Sequence, residues 1–230
     1  MDVKVENLNK KYADKTVFDN FNIKFPSGKI SVVMGKSGEG KSTLLNCIAG
    51  VCDYGGNVTG AEKTAYVFQD DRLIPFATVY DNLDITLSKS LAKGERKEKI
   101  TEILRAVSLE EKIAALPNEL SGGQKKRVSI ARAFLSDADV LLMDEPLNSL
   151  DLGLRMRTVK LLLGMVEKYP RTVIYVTHDI DEALSVANEI FAVDKNGVVY
   201  DFEFSSSAIV RDLLGDECNA VKRELIKLLV

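Results

Sequence analysis

The stretch Val32-Val33-Met34-Gly35-Lys36-Ser37-Gly38-Glu39-Gly40-Lys41-Ser42-Thr43 constrains this chain more than any other. An apolar run that reads as a buried strand leads into a glycine-rich loop, and Leu44, Leu45 and Ile48 continue at helical spacing. The loop fits G-x-x-x-x-G-K-[ST], the phosphate-binding P-loop pattern, in the context that pattern requires. Gly35, Gly38 and Gly40 let the backbone turn tightly, so that its N–H groups converge on an anion. The helix opening near Lys41 points the positive end of its dipole at the same spot. Lys41 is then the mobile charge for the β- and γ-phosphates, and Ser42 offers a hydroxyl to Mg²⁺. Lys36, Ser37, Glu39 and Thr43 complete the cradle.

At 230 residues, 46% hydrophobic and 28% charged, the chain has enough material for one large domain or a core with subdomains. Its net charge of −3 gives no broad attraction to nucleic acid, and no nucleic-acid partner is expected. No apolar run approaches the roughly 18 residues that span a bilayer. The N-terminus, Met1 to Glu6, alternates polar and apolar without a signal-peptide core. The expected location is therefore the cytoplasm, unless a partner holds the chain at a membrane. Cys47, Cys52 and Cys218 are odd in number and spaced for neither a zinc site nor a disulfide framework, so they read as reduced thiols.

Taken in order, residues 2–8 alternate as a strand, with Val3, Val5 and Leu8 on one face. Residues 10–15 are polar and turn-like, and Val17 to Phe25 alternates again. Such strands ahead of a P-loop suggest a small antiparallel sheet beside the nucleotide core. Tyr12 is either a surface tyrosine or a platform for a purine ring. Residues 51–64 read as irregular, and Ala65 to Phe68 as a short strand ending at Gln69. The pattern is helical from Thr78 to about Ala138, with a Lys/Glu-rich run from Lys93 to Lys99 on a solvated face. Leu120-Ser121-Gly122-Gly123-Gln124 opens a helix with a capping box. Its two glycines leave the helix start open to an anion; a pure capping role is the other reading.

Val140 to Met143 is a continuous apolar strand that ends in Asp144-Glu145. Adjacent carboxylates at such a strand end are costly unless used, and open α/β sheets bind ligands there. Asp144 is the candidate for Mg²⁺ and Glu145 for the base that activates water. Ser149-Leu150-Asp151 precedes a long helix. His178, the only histidine, follows a further buried strand and is either structural or a phosphate contact. Glu189 to Phe204 reads as a hairpin turning at Asn196-Gly197, and residues 208–230 as one or two helices.

Together these sites resemble the ATPase subunit of an ATP-binding cassette (ABC) transporter, over nearly the whole chain. The resemblance implies one α/β P-loop NTPase domain. Its nucleotide-binding core and N-terminal antiparallel β-subdomain would take residues 1–69 and 139–204, a helical signature subdomain residues 70–138, and C-terminal helices residues 205–230. It makes Tyr12 the adenine-stacking aromatic and Gln69 the sensor of Mg²⁺ and the attacking water. His178 steadies the γ-phosphate. Ser121, Gly122, Gly123 and Gln124 form the signature that meets ATP bound to a second copy of the subunit, and Asp151 belongs to the same nucleotide-binding set. Two cassettes would then close head to tail on ATP and drive a polytopic permease, holding the chain on the inner face of the membrane. An extracytoplasmic solute-binding protein would serve the same system.

The stretch Gln69-Asp70-Asp71-Arg72-Leu73-Ile74-Pro75-Phe76, with Thr78-Val79, Asn82 and Leu83 after it, is similar to importers of the nitrate, sulfonate and taurine type. Ile74 and Phe76 depart from the leucine and tryptophan usual there. The short chain, with no appended regulatory domain expected, also suits that group. The competing readings are a detached exporter cassette and a soluble ABC ATPase outside transport. The latter carry paired cassettes or a long coiled coil, which the sequence lacks.

Overall fold

The computed structural model describes residues 1–36, 38–87, 91–148, 150–194, 197–209 and 211–229. Ser37, Ser149 and Asn196, singled out above, lie outside them. The strand feeding the P-loop, β3 (Ile30–Met34), sits inside a six-stranded sheet. Its partners are β5 (Thr64–Val67), β6 (Val140–Asp144), β7 (Thr172–Val176), β8 (Glu189–Asp194) and β9 (Gly197–Glu203). Strands β1 (Val3–Tyr12), β2 (Lys15–Phe25) and β4 (Gly55–Thr59) form a separate antiparallel sheet of order β2-β1-β4. The large sheet has the order β5-β6-β7-β3-β8-β9; β5 through β8 pair in parallel and only β9 is antiparallel.

Parallel strands covered on both faces favour apolar side chains at nearly every position, which is why β3, β6 and β7 are apolar but for Ser31, Asp144 and Thr172. Val32, Met34, Leu141, Met143, Val173 and Tyr175 point into one core. That core is shared with α2 (Val79–Asp84), α3 (Lys93–Ala106), α4 (Gly122–Leu135), α5 (Leu152–Lys168), α6 (Ile180–Val186) and α7 (Asp216–Leu229). Val33, Leu142, Ile174 and Val176 point to the other face, where α1 (Lys41–Ile48) and the apolar sides of β1 and β2 pack. This is an α/β P-loop NTPase core with an antiparallel β-subdomain and a helical signature region. Among the described residues no helix is long and apolar enough to cross a membrane.

Two local readings change and two gain detail. Residues 55–59 are strand β4, because the free edge of β1 supplies backbone partners that glycine-rich composition does not advertise. The polar turn after β1 shrinks to Ala13-Asp14, so Tyr12 ends a strand and does not sit in a loop. Among the described residues of the C-terminal segment one helix forms, α7, with Val221 and Leu225 buried. Val5 and Leu8 are three apart yet share a core face, because Asn7 takes a positive φ of 52° and the register shifts there. Asn20 does the same in β2 at 54°. The Asn7 N–H donates to Asn22 Oδ1 at 2.8 Å, and the Asn20 N–H donates to Asn9 Oδ1 at 3.0 Å. The signal for this paired bulge is the repeat Asn-Leu-Asn and Asn-Phe-Asn.

The loop between Gln69 and α2 is built around Asn82, which is fully buried. Its amide donates to the carbonyls of Ile74, Ala77 and Thr78 at 3.0–3.1 Å, and its Oδ1 accepts the Ile74 N–H at 2.7 Å. Asn82→Ala strands these groups and should cost about 1–3 kcal/mol. Urea unfolding measures it; a midpoint unchanged from wild type would show that the loop re-satisfies itself.

Candidate active site

Because β5, β6, β7 and β3 run parallel, their C-terminal ends share one edge. That edge carries Gln69, Asp144-Glu145, His178 and the P-loop in the order of the strands. A cavity of about 650 Å³ opens there, lined by Tyr12, Lys15, Val17, Gly38, Gly40, Lys41, Ser42, Thr43, Glu145 and His178. Tyr12 remains 47% exposed at its mouth, with Lys10 Nζ 4.4 Å from the ring centroid.

The P-loop is shaped for an anion. Gly40 has φ 91°, and a Cβ there would lie 2.3 Å from Val17 Cγ1, so no other residue fits. α1 has no side-chain cap, which leaves its first N–H groups facing the cavity. Lys41 is buried, and its Nζ donates to the carbonyls of Gly35 at 2.8 Å and Lys36 at 3.0 Å. Burial pushes its pKa down, while the carboxylates of Glu145, Glu39 and Asp144 oppose that shift. Glu39 works within the loop: its Oε2 accepts the Lys36 N–H at 2.5 Å. Gly35, Lys36 and Glu39 therefore form the frame of the loop, and Gly38, Gly40, Lys41, Ser42 and Thr43 form its inner wall.

Asp144 ends β6 beside Ser42, whose hydroxyl bonds its carboxylate. Burial raises the Asp144 pKa and Glu145 adds to the rise; hydrogen bonds from Ser42 and Tyr66 and the charge of Lys41 pull the other way. A hydroxyl and a hard carboxylate side by side suit Mg²⁺, which takes few protein ligands and completes its shell with phosphate oxygens and water. Glu145 has a positive φ of 44°, a strained conformation for a residue with a side chain. Its backbone N–H is held by Val176 O at 2.9 Å. Both carboxylate oxygens have partners: Oε1 lies 3.0 Å from His178 Nδ1, and Oε2 accepts from Asn148 Nδ2 at 2.9 Å.

The structure does not bring every expected residue to this cavity. The Gln69 side chain is exposed and outside the lining; its carbonyl is pinned by Lys126 of α4. Ser121 caps α4 in a capping box with Gln124, and Gly122 faces open space. Gly123 packs against α5, where a Cβ would lie 2.2 Å from Leu154 Cδ2. Asp151 caps α5, its Oδ1 accepting the Leu154 N–H at 2.9 Å. None of these residues lines the chain's own P-loop cavity. Sequence reading missed Lys15, Asn148 and Lys126. Lys15 shows only once β2 lies over the P-loop, and Lys126 is hidden as one lysine in the run Lys125-Lys126-Arg127.

Residues 18–148 match the family model for the ABC transporter. The chain belongs to the ABC transporter family. It is similar to aliphatic sulfonates import ATP-binding protein SsuB 2 of Rhodococcus jostii (strain RHA1), with 37% identity over 86% of this chain and 81% of the relative. The SsuB of Corynebacterium glutamicum is 36% identical over 85% of this chain and 82% of its own length. Among solved structures, the dimeric form of MJ0796, a bacterial ABC transporter cassette, superposes with a TM-score of 0.77. It shares 29% identity and covers 89% of this chain and 99% of that one. The post-hydrolysis state of that cassette, bound to ADP and Pi, gives 0.76 with the same identity. The chain is an ATP-binding, ATP-hydrolysing cassette that energises an ABC transporter.

Proposed function

We propose that this cassette drives import of an aliphatic sulfonate or a related small organic anion, by closing head to tail with a second copy around ATP. The convergence of Tyr12, the P-loop, Glu145 and His178 on one cavity carries the catalytic part of this reading. Tyr12 stacks the adenine. The P-loop N–H groups, Lys41 and the start of α1 hold the phosphates, with Lys36, Ser37, Glu39 and Thr43 in the cradle. Ser42 and Asp144, with Gln69 reaching in on closure, would hold Mg²⁺, which when bound neutralises charge on the β- and γ-phosphates. Glu145 takes a proton from the attacking water. His178 steadies both Glu145 and the γ-phosphate, and Asn148 keeps the second carboxylate oxygen of Glu145 from swinging away. Ser121, Gly122, Gly123 and Gln124 meet the nucleotide of the partner copy, and Asp151 lies beside them.

ATP binds the closed pair better than the open one and so shifts the equilibrium toward closure. The permease is a polytopic membrane protein, and it holds the cassette on the cytoplasmic face; a solute-binding protein delivers the solute outside. The nucleotide core with its β-subdomain, residues 1–69 and 139–204, the helical part, residues 70–138, and the C-terminal segment work as one ATPase domain. The solute assignment rests on 36–37% identity to sulfonate-import relatives over most of the chain. Deleting the gene should abolish growth on an alkanesulfonate as sole sulfur source and leave growth on sulfate intact. Undiminished growth on the sulfonate would overturn the assignment.

Phe76 is 85% exposed, next to half-buried Ile74 and Leu73. A large apolar side chain in that position is a docking feature, and we place the permease there. Charge at Ile74 or Phe76 should weaken assembly. Phe76→Asp should co-purify poorly with the permease while binding ATP as wild type does; normal co-purification would remove the loop from the interface.

A further inference from the structure

We infer that Arg155 is a positioning residue for hydrolysis, tying the first turn of α5 to the loop that carries His178. This inference rests on reading His178 and Glu145 as the reacting pair. The His178 side chain is 58% exposed, and its Nδ1 lies 3.0 Å from Glu145 Oε1. A ring so open is oriented less by packing than by the backbone beneath it.

That backbone is held through Asp179. The Asp179 N–H donates to Thr177 Oγ1 at 3.1 Å, and Asp179 Oδ1 accepts the Glu182 N–H at 3.0 Å, which caps α6. The other carboxylate oxygen, Oδ2, takes an ion pair from Arg155 Nη1. Glu182 is buried beside them: its Oε1 accepts from Tyr175 OH at 2.5 Å, and its Oε2 lies 4.0 Å from Arg155 Nε. One guanidinium thus faces two carboxylates on α6. Arg155 itself is rigid at its base, because its N–H donates to Asp151 O at 2.8 Å in the first turn of α5. Without the cation, Asp179 and Glu182 repel each other across the start of α6, and the segment from Thr177 to Asp179 loses its lateral anchor. The guanidinium hydrogen-bonds Asp179 through Nη1 and faces Glu182 through Nε without bonding it, so an ammonium can replace its charge but not its spread.

The test uses the full-length, tag-free chain, in which His178 gives the only histidine signal. Displacing a reacting group by about 1 Å costs on the order of a hundredfold. Arg155→Met should therefore lower kcat for Mg-ATP by about ten- to a hundredfold and leave the KM for ATP unchanged. The imidazole resonance of His178 should move toward its position in Glu145→Ala, where the contact is gone. Arg155→Lys should restore part of kcat and part of the resonance shift. An unmoved resonance overturns the inference, whatever happens to kcat, and so does a loss confined to KM. If Arg155→Met does not fold, Asp179→Asn is measured the same way, since it keeps the capping oxygen and removes the charge. Full turnover in His178→Ala would instead sink the reading of the reacting pair, while the resonance still reports whether Arg155 orients the ring.

Discussion

In Glu145→Gln, ATP turnover falls by about 10²- to 10⁴-fold, the contribution expected of a general base, while ATP binding survives. The amide keeps the shape of the carboxylate, and its one acceptor oxygen can still take a hydrogen bond at this position, from Asn148 Nδ2 or from His178 Nδ1. It removes the proton acceptor and leaves Lys41, Ser42 and Tyr12 untouched. Because binding persists without chemistry, the closed head-to-tail pair should accumulate. Gel filtration with and without Mg-ATP reads this directly: the variant shifts from monomer to dimer on adding nucleotide. A variant that binds ATP tightly and stays monomeric would mean that closure needs the permease. Turnover at the wild-type rate would show that Glu145 is not the base.

Lys126→Met should be the largest single loss of stability outside the P-loop. Lys126 is 1% exposed. Its Nζ donates to the carbonyls of Phe68 at 3.2 Å and Gln69 at 2.8 Å, and it pairs with Asp71 Oδ1 at 2.9 Å. Methionine fills the volume but leaves two carbonyls and a carboxylate without their cation. Removing one partner of a buried pair costs about 3–5 kcal/mol. The Asp71 side chain keeps 21% exposure, which places the change at the low end. At about 3 kcal/mol, the melting temperature of a chain this size should drop by roughly 6–12 °C. None of the groups that Lys126 touches lines the P-loop cavity, so the KM for ATP should hold. Turnover should fall as the segment bearing Gln69 loses its anchor on α4. A melting curve identical to wild type would show that Asp71 turns to solvent at no cost.

The local grammar of the site was legible without coordinates. The P-loop is contiguous, and its glycines, lysine and serine act within one strand–turn–helix unit, so spacing alone specifies what they do. The capping box at Ser121 and Gln124 is likewise a four-residue pattern, and the apolar runs of β3, β6 and β7 announce burial on both faces. What spacing could not supply was adjacency. Gln69, Glu145, His178 and the P-loop line one edge only because the strands order themselves β5-β6-β7-β3. Chain order does not encode that permutation. The contacts of Lys126 and Arg155 depend on tertiary packing too, since each reaches a group on another element, whereas Asn148 meets Glu145 within one turn, where spacing does not announce the positive φ of Glu145. β4 and the twin asparagine bulges belong to the same class, because their hydrogen bonds go to a neighbouring strand. Chemistry carried by a contiguous segment was thus written in the sequence. Chemistry assembled from distant segments was decided by tertiary structure, because packing on both sheet faces, not sequence distance, selects which loop ends meet.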